Sequence, residues 1–128
     1  MDTAVPRSAL LCQLEPSLQA ELKSALSNPD LDVSTYICSG IGECRQFTDT
    51  HAPDILFCPL SPELPDFVSW FHGCIPIIVV SRVPDTREWI AAMEAGASDY
   101  CAPPFECSQL RWILTSARHG STILRAGA

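Results

Sequence analysis

The side chains of this 128-residue chain that are best suited to covalent or metal chemistry are its seven cysteines. They stand singly along the sequence, with no Cys-x-x-Cys pair: Cys12, Cys38, Cys44, Cys58, Cys74, Cys101 and Cys107. Disulfide scaffolds and structural zinc sites use closely spaced pairs, so this pattern argues against both. We expect most of the cysteines to be small core residues, and we expect no metal or other cofactor.

The three histidines each stand late in a segment with helical spacing: His51, His72 and His119. A donor or a cation at that end of a helix complements the helix dipole. We therefore expect capping roles rather than catalysis or metal binding, because no two histidines share an element.

The charge balance excludes several classes of function. Fifteen acidic and eight basic side chains give a formal charge of −7, and no run of Lys or Arg occurs. Nucleic-acid binding depends on clustered basic side chains, so we expect none by this domain. The longest wholly apolar run, Ile75 to Val80, is too short to span a bilayer. Residues 1–7 lack a signal-peptide pattern, so we expect a cytoplasmic protein.

Short apolar runs alternate with segments of helical spacing, which predicts five strand-plus-helix units. The predicted strands are Ala9–Cys12, Asp32–Ile37, Ile55–Cys58, Pro76–Val80 and Asp99–Cys101. The first and last predicted helices are marked by apolar stripes, from Leu18 to Leu26 and at Leu110, Ile113, Leu114 and Ala117. The three predicted helices between them are Gly40–His51, Pro65–His72 and Pro84–Ala95. This order predicts an α/β fold with an open, parallel five-stranded sheet and five helices on its two faces. We assign residues 8–118 to the domain and 119–128 to a C-terminal tail or the start of a linker.

A flavin or nucleotide enzyme would suit the same architecture, but the loop after the first strand argues against it. The loop Gln13-Leu14-Glu15-Pro16-Ser17 has no glycine and carries an acid. Phosphate-binding loops use Gly, Ser or Thr, so that backbone N–H groups can reach the phosphate. Gly40 and Gly42 lack a third glycine and more simply begin the second helix.

The second half of the chain contains an ordered series of local patterns. An apolar strand ends in Ser81, and Ala92-Met93-Glu94-Ala95-Gly96-Ala97-Ser98-Asp99-Tyr100 and then Pro104-Phe105 follow it. Together with Pro53-Asp54-Ile55-Leu56-Phe57, these patterns resemble the receiver domain of two-component response regulators. The resemblance spans roughly residues 8 to 118 and implies the CheY-like, flavodoxin-like sheet order 2-1-3-4-5 and a role in phosphorelay signal transduction.

The departures from the family pattern fall on its chemistry. A receiver accepts a phosphoryl group on an Asp at the end of its third strand, beside magnesium held by two acids after the first strand. The positions that match those two acids are Gln13 and Leu14, and Glu15 would have to shift register to reach the ion. The acceptor position is Pro59 by direct count, or Cys58 if one residue is deleted. Neither residue can form the acyl phosphate.

Other positions of the family's pocket are partly retained. The residue that matches the phosphate-neutralising lysine is Pro103, whereas Ser81 matches the switch Thr/Ser and Tyr100 the switch aromatic. The resemblance also implies a cis peptide between Pro103 and Pro104. Eleven prolines, many of them in loops after strands, are expected to stiffen the edge that moves in a working receiver. The chain is therefore predicted to be a pseudo-receiver that is not an enzyme.

Two alternatives stay open. One is an active receiver, although Asp54 begins the third strand and Asp66 lies beyond three prolines, so neither reaches the required edge. The other is a thiol or redox switch, because Cys12 and Cys58 end strands that are neighbours in the implied sheet order. Reactivity needs exposure and a lowered pKa, and Glu15 nearby would raise the pKa.

The last helix supplies an interface candidate. Its apolar stripe faces the sheet, which turns Trp112 to the opposite side, beside Arg111. Exposed Trp and Arg are typical of contact hot spots, and Trp89 and Tyr100 could join the same face. The resemblance implies homodimerisation or docking of an output domain through the fourth helix, fifth strand and fifth helix. The alternative is that these aromatic side chains pack at the margin of the core.

Overall fold

The computed structural model describes residues 8–51, 53–71 and 75–116. The strands are β1 (Ser8–Cys12), β2 (Ser34–Cys38), β3 (Ile55–Cys58), β4 (Ile77–Val80) and β5 (Asp99–Cys101). The helices are α1 (Pro16–Leu26), α2 (Ile41–Thr50), α3 (Leu64–Phe71), α4 (Thr86–Glu94) and α5 (107–116). The expectations for His72, Cys74, Ala117, His119 and the boundary at 118 lie outside the described residues.

All five strands are parallel and form one sheet in the order β2-β1-β3-β4-β5. The predicted architecture is therefore confirmed. Parallel neighbours need crossover connections, and the helices between successive strands provide them. Each strand thus ends at the same edge of the sheet, which we call the carboxyl edge: the loops that follow β1, β3, β4 and β5.

The sheet is buried on both faces, as its continuous apolar strands require. Successive side chains point to opposite faces, so Leu11 packs toward α1 and α5 while Leu10 packs toward α2, α3 and α4. The first layer is built mainly of leucines, and the second mixes cysteines with phenylalanines. Within the described ranges, no helix is both long enough and apolar enough to cross a membrane.

Two predicted boundaries are wrong for local reasons. β2 begins at Ser34 rather than Asp32, because Asp32 has φ 55° and its N–H donates to the Asn28 carbonyl at 2.7 Å in a turn. α4 begins at Thr86 rather than Pro84, because the Asp85 side chain caps the helix by accepting the Arg87 N–H at 2.8 Å.

β3 and β5 have their predicted bounds, and the other ends that differ from the prediction do so by one residue. α2 lacks its predicted end residues, because Gly40 and His51 are the flanking caps. α3 starts at Leu64, which places Pro65 in the first turn, where a missing N–H costs nothing. β4 likewise starts one residue late, at Ile77.

Only one of the predicted histidine caps lies in the described chain, and it occupies the predicted place. The His51 N–H donates to the Phe47 carbonyl at 2.8 Å, which closes the last turn of α2. Its ring stacks on Phe47, with 4.3 Å between centroids, and Nδ1 lies 2.8 Å from the Thr50 hydroxyl.

The turn between α4 and β5 depends on Gly96. This residue has φ 108°, and a Cβ there would lie 2.7 Å from Cγ1 of Val68 on α3. Both the backbone conformation and the close approach require glycine. The turn sets the position of Asp99 and Tyr100 at the start of β5.

Candidate functional site

The first part of the candidate site is the loop after β1. Gln13 has φ 62°, and its N–H donates to the Cys38 carbonyl at 3.2 Å. Its amide Nε2 donates to Oε1 of Glu63, in the loop before α3, at 2.8 Å. Leu14 is buried among the leucines of the α1 and α5 layer. The two positions that match the family's magnesium-binding acids therefore hold a hydrogen-bonded amide, Gln13, and a buried leucine, Leu14.

The end of β3 holds no carboxylate. Cys58 is buried, and burial, with a smaller contribution from neighbouring Cys12, raises the pKa of its thiol to about 12. Pro59 follows directly and is half-buried. Asp54 lies at the opposite end of β3, where it accepts the Ser8 N–H at 3.1 Å. This carboxylate therefore belongs to the amino edge of the sheet.

Glu15, the next acid in the loop after β1, is paired with an arginine. Its carboxylate lies 2.9 Å from Nη2 and accepts a hydrogen bond from Nε of Arg82 at 3.2 Å. Nη2 of Arg82 also donates to the Ser17 hydroxyl. Arg82 belongs to the loop after β4, so these contacts join the loops after β1 and β4 across the end of β3.

The two residues that match the family's switch positions share one partner. The Ser81 hydroxyl donates to Oε1 of Glu88 at 2.8 Å, and it lies 3.0 Å from the Val83 carbonyl. The Tyr100 hydroxyl donates to the same Oε1 at 3.2 Å. Glu88 lies in the first turn of α4, so its carboxylate holds the end of β4, α4 and β5 together.

The loop after β5 contains the remaining matched position. The peptide between Pro103 and Pro104 is cis, as the resemblance implied. Pro103 is half-buried and lines an open groove together with Pro84, Tyr100 and Gln109. No group of three or more His, Cys, Asp or Glu side chains suited to a metal ion occurs in the described part of the chain.

Comparison with known proteins supports the resemblance. No family model matches the chain. Over 124 residues it is 27% identical to KdpE, the KDP operon transcriptional regulatory protein of Escherichia coli K12, covering 90% of this chain and 53% of KdpE. This chain is a receiver-like domain with the CheY-like fold. It spans about half the length of that relative.

Solved structures with the same fold include two orphan regulators. One is described as an atypical orphan response regulator with a phosphorylation-independent regulatory mechanism: TM-score 0.68, 22% identity, 88% of this chain and 95% of that chain. The other is an orphan response regulator of H. pylori: TM-score 0.65, 20% identity, 88% and 96% coverage. At these identities the likeness establishes the fold.

The α4–β5–α5 face, which we define by Trp89, Tyr100 and Trp112, exposes aromatic surface. Trp112 is 69% exposed and Trp89 is 48% exposed. Trp89 and Tyr100 line a second groove beside the first one. Arg111 lies on the other side of α5, where its Nη2 donates to the Asp30 carbonyl at 3.4 Å. The structure thus brings Trp89 near Tyr100 and turns Arg111 toward the loop between α1 and β2.

Sequence reasoning missed three side chains that make contacts across the carboxyl edge of the sheet: Glu63, Arg82 and Glu88. Glu88 was recoverable in principle, because it stands in the first turn of the helix that follows Ser81. No short-range pattern links Gln13 to Glu63, which are 50 residues apart. Cys38 and Cys44 were also missed as neighbours of Cys12, although the order β2-β1-β3 predicts that Cys12, Cys38 and Cys58 lie side by side.

Proposed function

We propose that this receiver domain signals without phosphorylation, by binding a protein partner. The observation that carries the proposal is the shared hydrogen bonding of Ser81 and Tyr100 to Glu88. In the family these two positions respond to the phosphoryl group, whereas here a built-in carboxylate already engages both hydroxyls. The domain would then hold one conformation without any modification.

The chemistry of the matched positions supports this proposal. Magnesium needs oxygen ligands in near-octahedral array, and the positions of its acids hold Gln13 and Leu14. The acceptor positions hold Cys58 and Pro59, neither of which can form an acyl phosphate. The phosphate-neutralising position holds Pro103, which has no charge. We infer that the domain performs no phosphotransfer, needs no cofactor and is not an enzyme.

We propose that the α4–β5–α5 face contacts the partner, either a second copy of this chain or an output domain, attached or separate. Trp89 and Trp112 offer exposed aromatic area at low entropic cost, which is characteristic of hot spots. The net charge of −7 disfavours direct nucleic-acid contact by this domain. We propose cytoplasmic signalling by a unit that spans residues 8–118, with 119–128 as a tail or linker.

A phosphodonor experiment tests the first part of the proposal. The chain is incubated with acetyl phosphate and Mg²⁺, and its intact mass is measured. A receiver that has the acceptor Asp and both magnesium-binding acids is treated in the same way. We expect no adduct on this chain, and the conventional receiver should gain about 80 Da. A stable, magnesium-dependent gain on this chain would defeat the proposal and favour the active-receiver alternative.

A matched variant sharpens the phosphodonor experiment. Pro59→Asp supplies a carboxylate at the acceptor position while Gln13, Leu14 and Pro103 stay unchanged. We expect this variant to remain unmodified as well, because no acid pair holds the metal. Labelling of Pro59→Asp alone would show that the rest of the pocket is still competent.

The interface is tested by association in solution. The sedimentation of the parent chain is compared with that of Trp112→Ala and of Trp89→Ala. Each protein is measured first alone and then mixed with domains encoded by neighbouring genes. Trp70→Ala is the matched control, because Trp70 is also 44% exposed but lies on α3 and is covered by Arg45 at 3.5 Å. We expect at least about tenfold weaker association when a central hot-spot Trp is replaced. We expect Trp70→Ala to leave the association unchanged. Equal effects of all three variants would contradict the assignment.

A further inference from the structure

β2 is an edge strand, and within the described ranges no other strand pairs with its outer side. Its five residues pair with β1 in continuous register, without a bulge, and include neither a charged side chain nor a proline. Natural edge strands discourage pairing with another chain by charge, by proline, by a bulge or by being very short. β5, at the opposite edge, is only three residues long and begins with Asp99. β2 lacks such protection.

The direction of the backbone groups in β2 follows from one hydrogen bond. The N–H of Gln13, just after β1, donates to the Cys38 carbonyl at 3.2 Å, so the backbone of Cys38 faces β1. Successive residues of a strand direct their N–H and C=O groups to opposite sides. Tyr36 therefore also faces β1, whereas Thr35 and Ile37 direct both backbone groups outward.

The outward N–H groups on either side of these two residues have partners within the chain. The Val33 N–H donates to the Leu26 carbonyl, at the end of α1, at 3.1 Å. The Ser39 N–H donates to Oε1 of Glu43, on α2, at 2.6 Å. These bonds bound a short stretch of outward-facing backbone, Thr35–Ile37, which we call the open segment.

We propose that a second copy of this chain pairs with the open segment, through an antiparallel, two-fold contact between the two β2 strands. In this register Thr35 of one copy lies opposite Ile37 of the other, and the two residues exchange both N–H···O=C bonds. The two-fold axis generates the same exchange with the roles reversed. The outward donors and acceptors of the open segment are thus complementary to themselves.

The side chains of the open segment suit this pairing. Ile37 is 46% exposed and Tyr36 is 39% exposed. The Tyr36 ring lies 4.9 Å from that of Phe47 on α2, measured between centroids. In the proposed contact the two-fold axis passes between the two copies of Tyr36, which form a non-hydrogen-bonded pair, where opposing side chains come closest. Aromatic pairs across such positions stabilise a sheet.

Charge also favours a second copy as the partner. The chain carries a formal charge of −7, so two copies repel each other over most of their surfaces. β2 is uncharged, and the acid that precedes it most closely, Asp32, belongs to the preceding turn. The pairing therefore places no like charges directly opposite each other. β2 and β5 are opposite edges of the sheet, so this contact is separate from the proposed interface at the α4–β5–α5 face.

Oxidative cross-linking tests the register. Tyr36→Cys places two thiols across the two-fold axis, where opposing Cα atoms lie about 4.5 Å apart, within the range that a disulfide spans. Ile37→Cys is the matched control, because this position is more exposed than Tyr36 but faces position 35 of the other copy. Both variants and the parent are oxidised with copper phenanthroline and separated on a non-reducing gel. We expect the covalent dimer to form at least about tenfold faster with Tyr36→Cys than with Ile37→Cys.

Sedimentation measures the contact without a covalent bond. We expect a concentration-dependent dimer that Ile37→Lys weakens by at least about tenfold, because a charge on an edge strand opposes pairing. Val83→Lys is the matched control, because Val83 is 66% exposed in the loop after β4, and it should leave the dimer unchanged. Circular dichroism establishes that each variant is folded.

Both experiments use a chain that also carries Trp89→Ala and Trp112→Ala, so that association through the α4–β5–α5 face does not contribute. Failure of the β2 contact is then distinct from failure of the proposed function. Equal cross-linking rates for Tyr36→Cys and Ile37→Cys would overturn the proposal. A chain that stays monomeric at the highest concentration measured would overturn it too, and would leave the open segment to a different protein.

Discussion

The carboxyl edge of the sheet and the α4–β5–α5 face use their polar and aromatic side chains in opposite ways. At the edge, side-chain contacts join the loop after β1 to the loops after β3 and β4, and join the end of β4 to α4 and β5. On the face, Trp89 and Trp112 project into solvent. The comparison teaches that the side chains at the edge where a working receiver does chemistry bond with one another here, while the face that we propose for binding leaves its tryptophans exposed.

The largest expected effect distinguishes the two sides of α5. Leu114 is fully buried against the sheet, whereas Trp112, two residues earlier, is 69% exposed. We expect Leu114→Ala to lower the free energy of unfolding by about 2–5 kcal/mol, and Trp112→Ala to change it by no more than about 0.5 kcal/mol. Urea denaturation measures both. A large loss for Trp112→Ala would mean that this side chain is structural and would remove the basis for calling the face free.

A smaller effect is expected at the hydrogen-bonding centre of the edge. Glu88→Ala leaves the hydroxyls of Ser81 and Tyr100 without their shared acceptor, so we expect a loss of about 1–2 kcal/mol in the free energy of unfolding. Glu94→Ala, at an exposed position at the end of the same helix, is the matched control. Equal losses for both variants would show that the contacts at Glu88 do not hold the edge.

The smallest effect is expected at the exposed ion pair of the edge. Arg82→Gln removes the partner of Glu15, but both side chains are about half exposed, so solvent screens their attraction. We expect a slight decrease in the thermal midpoint in dilute buffer that disappears in about 1 M salt, where the screening length is about 3 Å. Arg87→Gln serves as the control. A decrease that persists in salt would show that the loops are joined by more than charge.

The fold was predictable because its signals are local. Apolar runs such as Ile55–Cys58 and the spacing of Leu18, Leu22 and Leu26 identify elements without any knowledge of their neighbours. The errors occurred where a turn or a cap competes with periodicity. Asp32 belongs to a turn, and Asp85 caps α4, so neither boundary follows from the apolar pattern alone.

The candidate site was only partly predictable. Ser81 and Tyr100 were found because they stand in a recognisable series, but the carboxylate that joins them was not. Hydrogen-bond partners depend on distances between atoms that the fold brings together, and Glu88 lies 12 residues from Tyr100. The same limit hid Cys38, which strand register pairs with Cys12, and Cys44, which α2 buries in the same cluster.

The sequence by itself determined the order of strands and helices, the family resemblance and the identity of the side chains at the positions where receivers do chemistry. These features depend on residue types and local periodicity, which one chain displays directly. The tertiary structure alone decided which side chains meet: Glu88 bonds with Ser81 and Tyr100, and Cys44 is buried in one cluster with Cys12 and Cys38. Those pairings arise because parallel strands deliver distant residues to one edge, where contact is a matter of register and packing.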